Sequence, residues 1–125
     1  MRARKLLGTP FRLHGRDPIS GVDCAGLVAL LYGRIEGVPN GYALRNDEGA
    51  RWLLELDAHF ARRPDAHACA GDIVLMQAGP AQFHIGIWTG DGLIHADARL
   101  RKVVETPGPI AWPVLGVWCA PEENL

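Results

Sequence analysis

The run VDCAGLVALLYGRI contains five consecutive apolar residues, Leu27 to Leu31, and so has almost no polar face. A helix of that kind must be buried nearly all round. A chain of 125 residues carries about one core's worth of material. Whatever else it forms therefore has to wrap this helix. The pattern predicts a helix over residues 22–35. Ser20 and Asp23 stand at capping-box spacing, which puts its start close to residues 20–24. Gly33 or Gly37 ends it.

A second helix is expected over residues 46–63. Asn46, Asp47 and Glu48 suit its positive end, Arg62 and Arg63 its negative end, and Pro64 stops it. Leu53, Leu56 and Phe60 give it one apolar stripe. From Gly71 the texture changes to short β-rich runs: DIVLMQ, FHIGIW, GLIHA, LRKVVE and VLGVW. Gly79-Pro80, Gly90-Asp91-Gly92 and Pro107-Gly108-Pro109 separate them, and Gly90 to Gly92 reads as a tight hairpin. Helices first and strands second is the signature of an α+β fold. The expectation is one domain, residues 1–125. It has an irregular lead-in at 1–20, a helical part at 21–63, and an antiparallel sheet of about five strands at 71–119.

Hydrophobic residues are 48% of the chain, charged residues 22%, and the net charge is −1. That balance gives no electrostatic ground for nucleic acid as the main partner. No run approaches the roughly 20 apolar residues of a membrane span. Leu6 and Leu7 are followed at once by Gly8, Thr9 and Pro10, so no signal peptide is expected and synthesis is placed in the cytoplasm. Three cysteines, Cys24, Cys69 and Cys119, are an odd number without metal-ligand spacing. Neither a disulfide framework nor a metal or other cofactor is expected.

Cys24 stands where the buried helix starts. Helix N-termini favour a thiolate, the nucleophilic form of cysteine, and their N–H groups can hold an oxyanion. Ala25 and Gly26 are expected to leave space beside the sulfur. A small buried core residue is the competing reading of Cys24. His84 lies within an apolar strand, where an imidazole must be hydrogen-bonded or working. Period-two alternation sets His84, Gly86 and Trp88 on one face, with Gly86 leaving it open beside the ring. A structural histidine is the alternative there. His95 ends the next short strand, and a hairpin would bring the two rings together. Thiol, base and orienting group then stand in papain order along the chain.

Taken together, GTPFRLHGRD, GVDCAGLVALL, GDIVLM and FHIGIWTGDGLIHA resemble the NlpC-type peptidoglycan endopeptidases, which are papain-like cysteine peptidases of bacterial cell walls. The resemblance implies a papain-like fold, with Cys24 as nucleophile, His84 as base and His95 as the residue orienting the imidazole. It implies a stem-peptide substrate, cut between D-glutamate and the diamino acid. The mechanism expected is acyl transfer through a thioester, with the Cys24 proton stored as a thiolate–imidazolium pair. The lead-in and short length look like the phage-tail or prophage version, which implies tail proteins as partners and action at the cell wall. Phe11 stands where the family often has tyrosine, and Ala25 where serine is common. Asp23, Phe11 and His14 are the expected substrate contacts, although Asp23 also suits a helix cap. Asp97 and Arg99 stand to touch substrate or to be solvated. Asp72 is expected to fix a turn, His59 and His67 to lie on the surface, and Cys69 and Cys119 to be structural. Trp88, Trp112 and Trp118 are expected in the core. A tail component without catalysis, and an amidase or acyltransferase on a non-wall amide, fit the same residues.

Overall fold

The computed structural model describes residues 2–33, 48–80 and 82–119. A 3₁₀ turn, Arg2–Leu6, leads to two two-residue strands, β1 (Arg16–Asp17) and β2 (Gly21–Val22). Helices α1 (Cys24–Tyr32) and α2 (Glu48–His59) follow. Then come β3 (Ala61–Arg62), β4 (Ile73–Gly79), β5 (Gln82–Trp88), β6 (Gly92–Asp97), β7 (Lys102–Pro107) and β8 (Val114–Cys119). The last six form one antiparallel sheet in the order β3-β8-β4-β5-β6-β7. The five expected strands are all present, and the sixth is the two-residue edge strand β3. The fold is α+β, as the segregation of patterns implied.

Alternation sorts the sheet's residues into two buried layers. Ile73, Leu75, Ile85, Ile87, Ile94, Ala96, Val103 and Trp118 face Val22, Leu27, Val28 and Leu31 around α1, with Trp52 and Leu56 of α2. On the other side Val74, Met76, Leu93 and Val117 are covered by Ala68, Trp88, Ile110 and Trp112. A sheet covered on both faces reads as apolar runs rather than clean alternation, as IVLM does.

Helix α1 is shorter than the pattern suggested. Gly33, at φ +86°, closes it with a conformation that side chains disfavour. Ile35 and Gly37 lie outside the described residues. Ser20 does not cap it; Asp23 does, accepting a hydrogen bond from the Gly26 N–H. Helix α2 is also shorter, and Arg62 and Arg63 do not serve its negative end. Arg62 stacks its guanidinium over Trp118, 5.3 Å from the ring centre, and lies 3.5 Å from Asp57. Arg63 pairs with Asp72, which also accepts the Cys69 N–H and so holds the turn into β4. Asn46 and Asp47, the expected cap, lie outside the described residues. Leu56 is fully buried, and Trp52, absent from the expected stripe, is buried beside it.

The lead-in is irregular but fully engaged. Gly8, Thr9 and Phe11 exchange backbone hydrogen bonds with Val103 and Arg101, so the segment runs along the outer edge of β7. Arg12 and Pro10 then bond Val22, immediately before α1. Its Gly15 carbonyl lies against Gly26, where an added Cβ would sit only 2.0 Å from the carbonyl oxygen. The space expected beside Gly26 is thus filled by the lead-in backbone. Gly26→Ala should lower unfolding free energy by about 1–3 kcal/mol, the usual cost of overpacking. Chemical denaturation followed by circular dichroism checks this, and a variant of unchanged midpoint would show that the lead-in yields without cost.

Candidate active site

Cys24 is the first residue of α1 and is 2% exposed. Its position is set by Asp23, whose carboxylate is completely buried. Oδ1 accepts from Gly26 N at 2.8 Å and from Arg16 Nη1 at 2.9 Å, and Oδ2 from His14 N at 2.7 Å. One side chain thereby caps the helix, pairs with a cation and holds the lead-in. It presents no open oxygen to a substrate, so the cap is the role the geometry supports. His14 contributes through its backbone at a left-handed φ of +63°. Its exposed ring is not among the residues lining the cleft described below, contrary to the expected substrate contact.

The hairpin from β5 to β6 forms as expected. Thr89 closes it, its N–H donating to the Gly92 carbonyl and its hydroxyl oxygen accepting from Gly92 N at 2.9 Å. The backbone ladder between these strands covers only Ile87–Ile94 and Trp88–Leu93. Towards the other end a side-chain contact replaces it, with His84 Nε2 2.8 Å from His95 Nδ1. Gly86 lies between. A Cβ there would stand 2.8 Å from the Ile94 carbonyl oxygen and 3.0 Å from the Leu93 side chain. Gly86 therefore permits close approach of β6 rather than opening the face.

His95 is 3% exposed, and its second ring nitrogen, Nε2, lies 3.0 Å from Thr106 Oγ1 on β7. Trp112, between β7 and β8, meets both rings edge-on, at centroid distances of 5.4 Å to His84 and 5.9 Å to His95. Burial, and then the neighbouring His95, push the His84 pKa down to about 4, while Asp97 pulls it upward. Burial also lowers His95, again against Asp97. Both rings are therefore neutral near pH 7 in these surroundings.

One cleft gathers Phe11, Cys24, Phe83, His84, His95 and Trp112, with Asp97 and Arg99 at its rim. Its volume is about 190 Å³, and it opens to solvent. A thiol and two imidazoles thus line one space, a set of groups that could carry acyl transfer. Among the described residues, no group of three His, Cys, Asp or Glu side chains is placed to hold a metal ion. Trp118 is buried and Trp88 half-buried, but Trp112 lines the cleft. Its setting in the sequence IAWP, between prolines rather than on a strand face, was the available signal. Thr106 was also missed, since only the β6–β7 register brings it to His95. Cys69 is exposed and Cys119 half-buried. His59 and His67 lie on the surface as expected.

The model of the NlpC/P60 family matches residues 8–108. Among solved structures, the NlpC/p60 domain of the peptidoglycan hydrolase SagA is similar at 26% identity and TM-score 0.54, over 85% of this chain and 83% of that one. An NlpC/P60 family protein from Bacillus cereus is similar at 20% identity and TM-score 0.62, over 94% of this chain but only 37% of that one. The peptidoglycan hydrolase RipB from Mycobacterium tuberculosis is similar at 23% identity and TM-score 0.61, over 94% and 60%. No curated protein matches the sequence. The lead-in from Gly8, the capped Cys24 helix and the β5–β6 histidine hairpin all fall within the matched residues, and the chain belongs to the NlpC/P60 family.

Proposed function

We propose that this protein is a cysteine peptidase that hydrolyses an amide bond in the stem peptide of peptidoglycan. The observation that carries this reading is the sharing of one cleft by Cys24, His84 and His95, with the two imidazoles 2.8 Å apart. Family membership and the likeness to the peptidoglycan hydrolase SagA support the substrate class. The bond we assign is that between D-glutamate and the diamino acid, by resemblance to the family's usual cut.

His84 Nε2 is committed to His95, so Nδ1 is the nitrogen left to work as the base. It takes the Cys24 proton as the sulfur attacks the amide carbonyl. The tetrahedral oxyanion forms beside the start of α1, where the helix dipole favours negative charge. His84 then returns the proton to the leaving amine, and a thioester remains on Cys24. Water, deprotonated by His84, attacks the thioester and releases a carboxylate and the free thiol. His95 holds the His84 ring. Phe11 contributes an apolar wall, so any oxyanion donor other than backbone comes from elsewhere. The lead-in GTPFRLHGRD supports delivery by a phage tail-like particle, with tail proteins as partners. The same phenylalanine favours a second reading, a tail component whose cleft binds wall peptide without cutting.

Digestion of purified muropeptides by wild type and Cys24→Ala, read by mass spectrometry, tests the reading. A cut within the stem peptide that disappears in Cys24→Ala, with the fold retained by circular dichroism, is the expected result. Cutting that survives in the variant would sink the assignment. Absence of cutting together with a slowly alkylating thiol would favour the binding component.

The lowered His84 pKa also fixes a sign. The base is active when neutral, so kcat/KM should fall only as pH drops towards about 4, well below histidine's ordinary 6.5. Trp112→Ala admits water to both rings and should move that acid limb upward. A limb that stays in place or moves down would assign it to a group other than His84.

A further inference from the structure

The two histidines do not end the chain of hydrogen bonds. His95 Nε2 lies 3.0 Å from the hydroxyl of Thr106. On β7, Thr106 is the partner of Leu93, and His95 is the partner of Val104, so Thr106 and His95 are diagonal neighbours on one face. The direction of protons along this chain follows from which nitrogen must work. If Nδ1 of neutral His84 is the base, the ring proton sits on Nε2. That N–H donates to His95 Nδ1, which must then be unprotonated. The single proton of His95 is left on Nε2 and needs an acceptor. His95 is only 3% exposed, and Thr106 Oγ1 is the acceptor present.

We propose that Thr106 is a positioning residue of this site. Its hydroxyl accepts the far N–H of His95 and so holds the His84–His95 pair in the tautomer that leaves His84 Nδ1 able to take a proton. The proposal rests on the reading of Cys24 and His84 as nucleophile and base. Thr106 is itself exposed, so its own O–H can donate to water while its oxygen accepts from His95. Among the described residues, His84 from β5, Thr106 from β7, Trp112 from the segment before β8 and Asp97 on its own strand face His95. Of these, Thr106 alone meets Nε2. Glu105, next in sequence, is drawn away to Arg4 at 3.1 Å. Asp97 gives its Oδ1 to the Arg99 and Leu100 N–H groups.

The test is nitrogen-15 NMR of the imidazoles in the full chain near neutral pH, for wild type, Thr106→Val and Thr106→Ser. Muropeptide hydrolysis is measured on the same samples. In wild type, His84 and His95 should both carry their proton on Nε2. Thr106→Val, which keeps shape but removes the acceptor, should give a mixture of His95 tautomers and lower kcat about threefold to tenfold, with KM unchanged. Thr106→Ser should restore both. A His95 protonated on Nδ1 in wild type overturns the proposal without any variant, even if Thr106→Val fails to fold. It is equally overturned by wild-type tautomers and rate in Thr106→Val, or by a Thr106→Ser that behaves as Val does. If no sample cuts muropeptides, the peptidase reading fails, and the tautomers still report whether Thr106 sets the pair.

Discussion

The buried carboxylate of Asp23 is the contact on which the site depends. An ionised group with no exposure is tolerated only if its lone pairs are filled. Here the helix start, the Arg16 guanidinium and the lead-in backbone fill them. Each partner is thereby held to the others. The N-terminus of α1 is pinned, and with it the sulfur one residue on. The lead-in is pinned as well, and it carries Phe11 to the cleft and continues along β7. The tight approach of Gly15 to Gly26 follows from the same clamp, because a loop drawn to Asp23 has to pass over the first turn of the helix.

The histidine pair answers a different constraint. Imidazoles inside an apolar sheet lose hydration, and each nitrogen then needs a partner. The β5–β6 hairpin supplies one imidazole to the other, and Thr106 and the edge of Trp112 complete the enclosure. The surroundings that lower the basicity of His84 also align it. An imidazole held below the usual histidine range is neutral near pH 7 and needs no counter-charge.

Much of this was legible in the chain. The all-apolar stretch Leu27–Leu31 announced a buried helix, and helices before strands announced α+β. The spacing of His84 and His95 about a Gly-Asp-Gly turn is enough to bring the two rings together. Local patterns failed where a tertiary partner decides. Ser20 and Asp23 both look like caps, and only the position of Arg16 and His14 N selects Asp23. Arg63 follows α2 closely enough to suit its end, yet Asp72 takes it. Gly26 and Gly86 look like openings because a missing side chain reads as space, whereas in both places another stretch of backbone fills it. Thr106 had no signal in its own neighbourhood, since its role arises from strand register.

Asp97 shows how one residue serves fold and chemistry at once. It ends β6, and its Oδ1 accepts from Arg99 N at 2.8 Å and Leu100 N at 3.0 Å, closing the turn towards β7. Partial burial works to raise its pKa, but those two N–H groups and both histidines hold it below its usual value. A negative charge therefore stays at the rim of the cleft across the neutral range. It opposes the effect of burial on both rings and steadies positive charge on them when a proton arrives. Burial lowers the His84 pKa, and Asp97 acts on the same ring in the opposite direction. The end of one strand thus brings a fixed negative charge within reach of both buried rings.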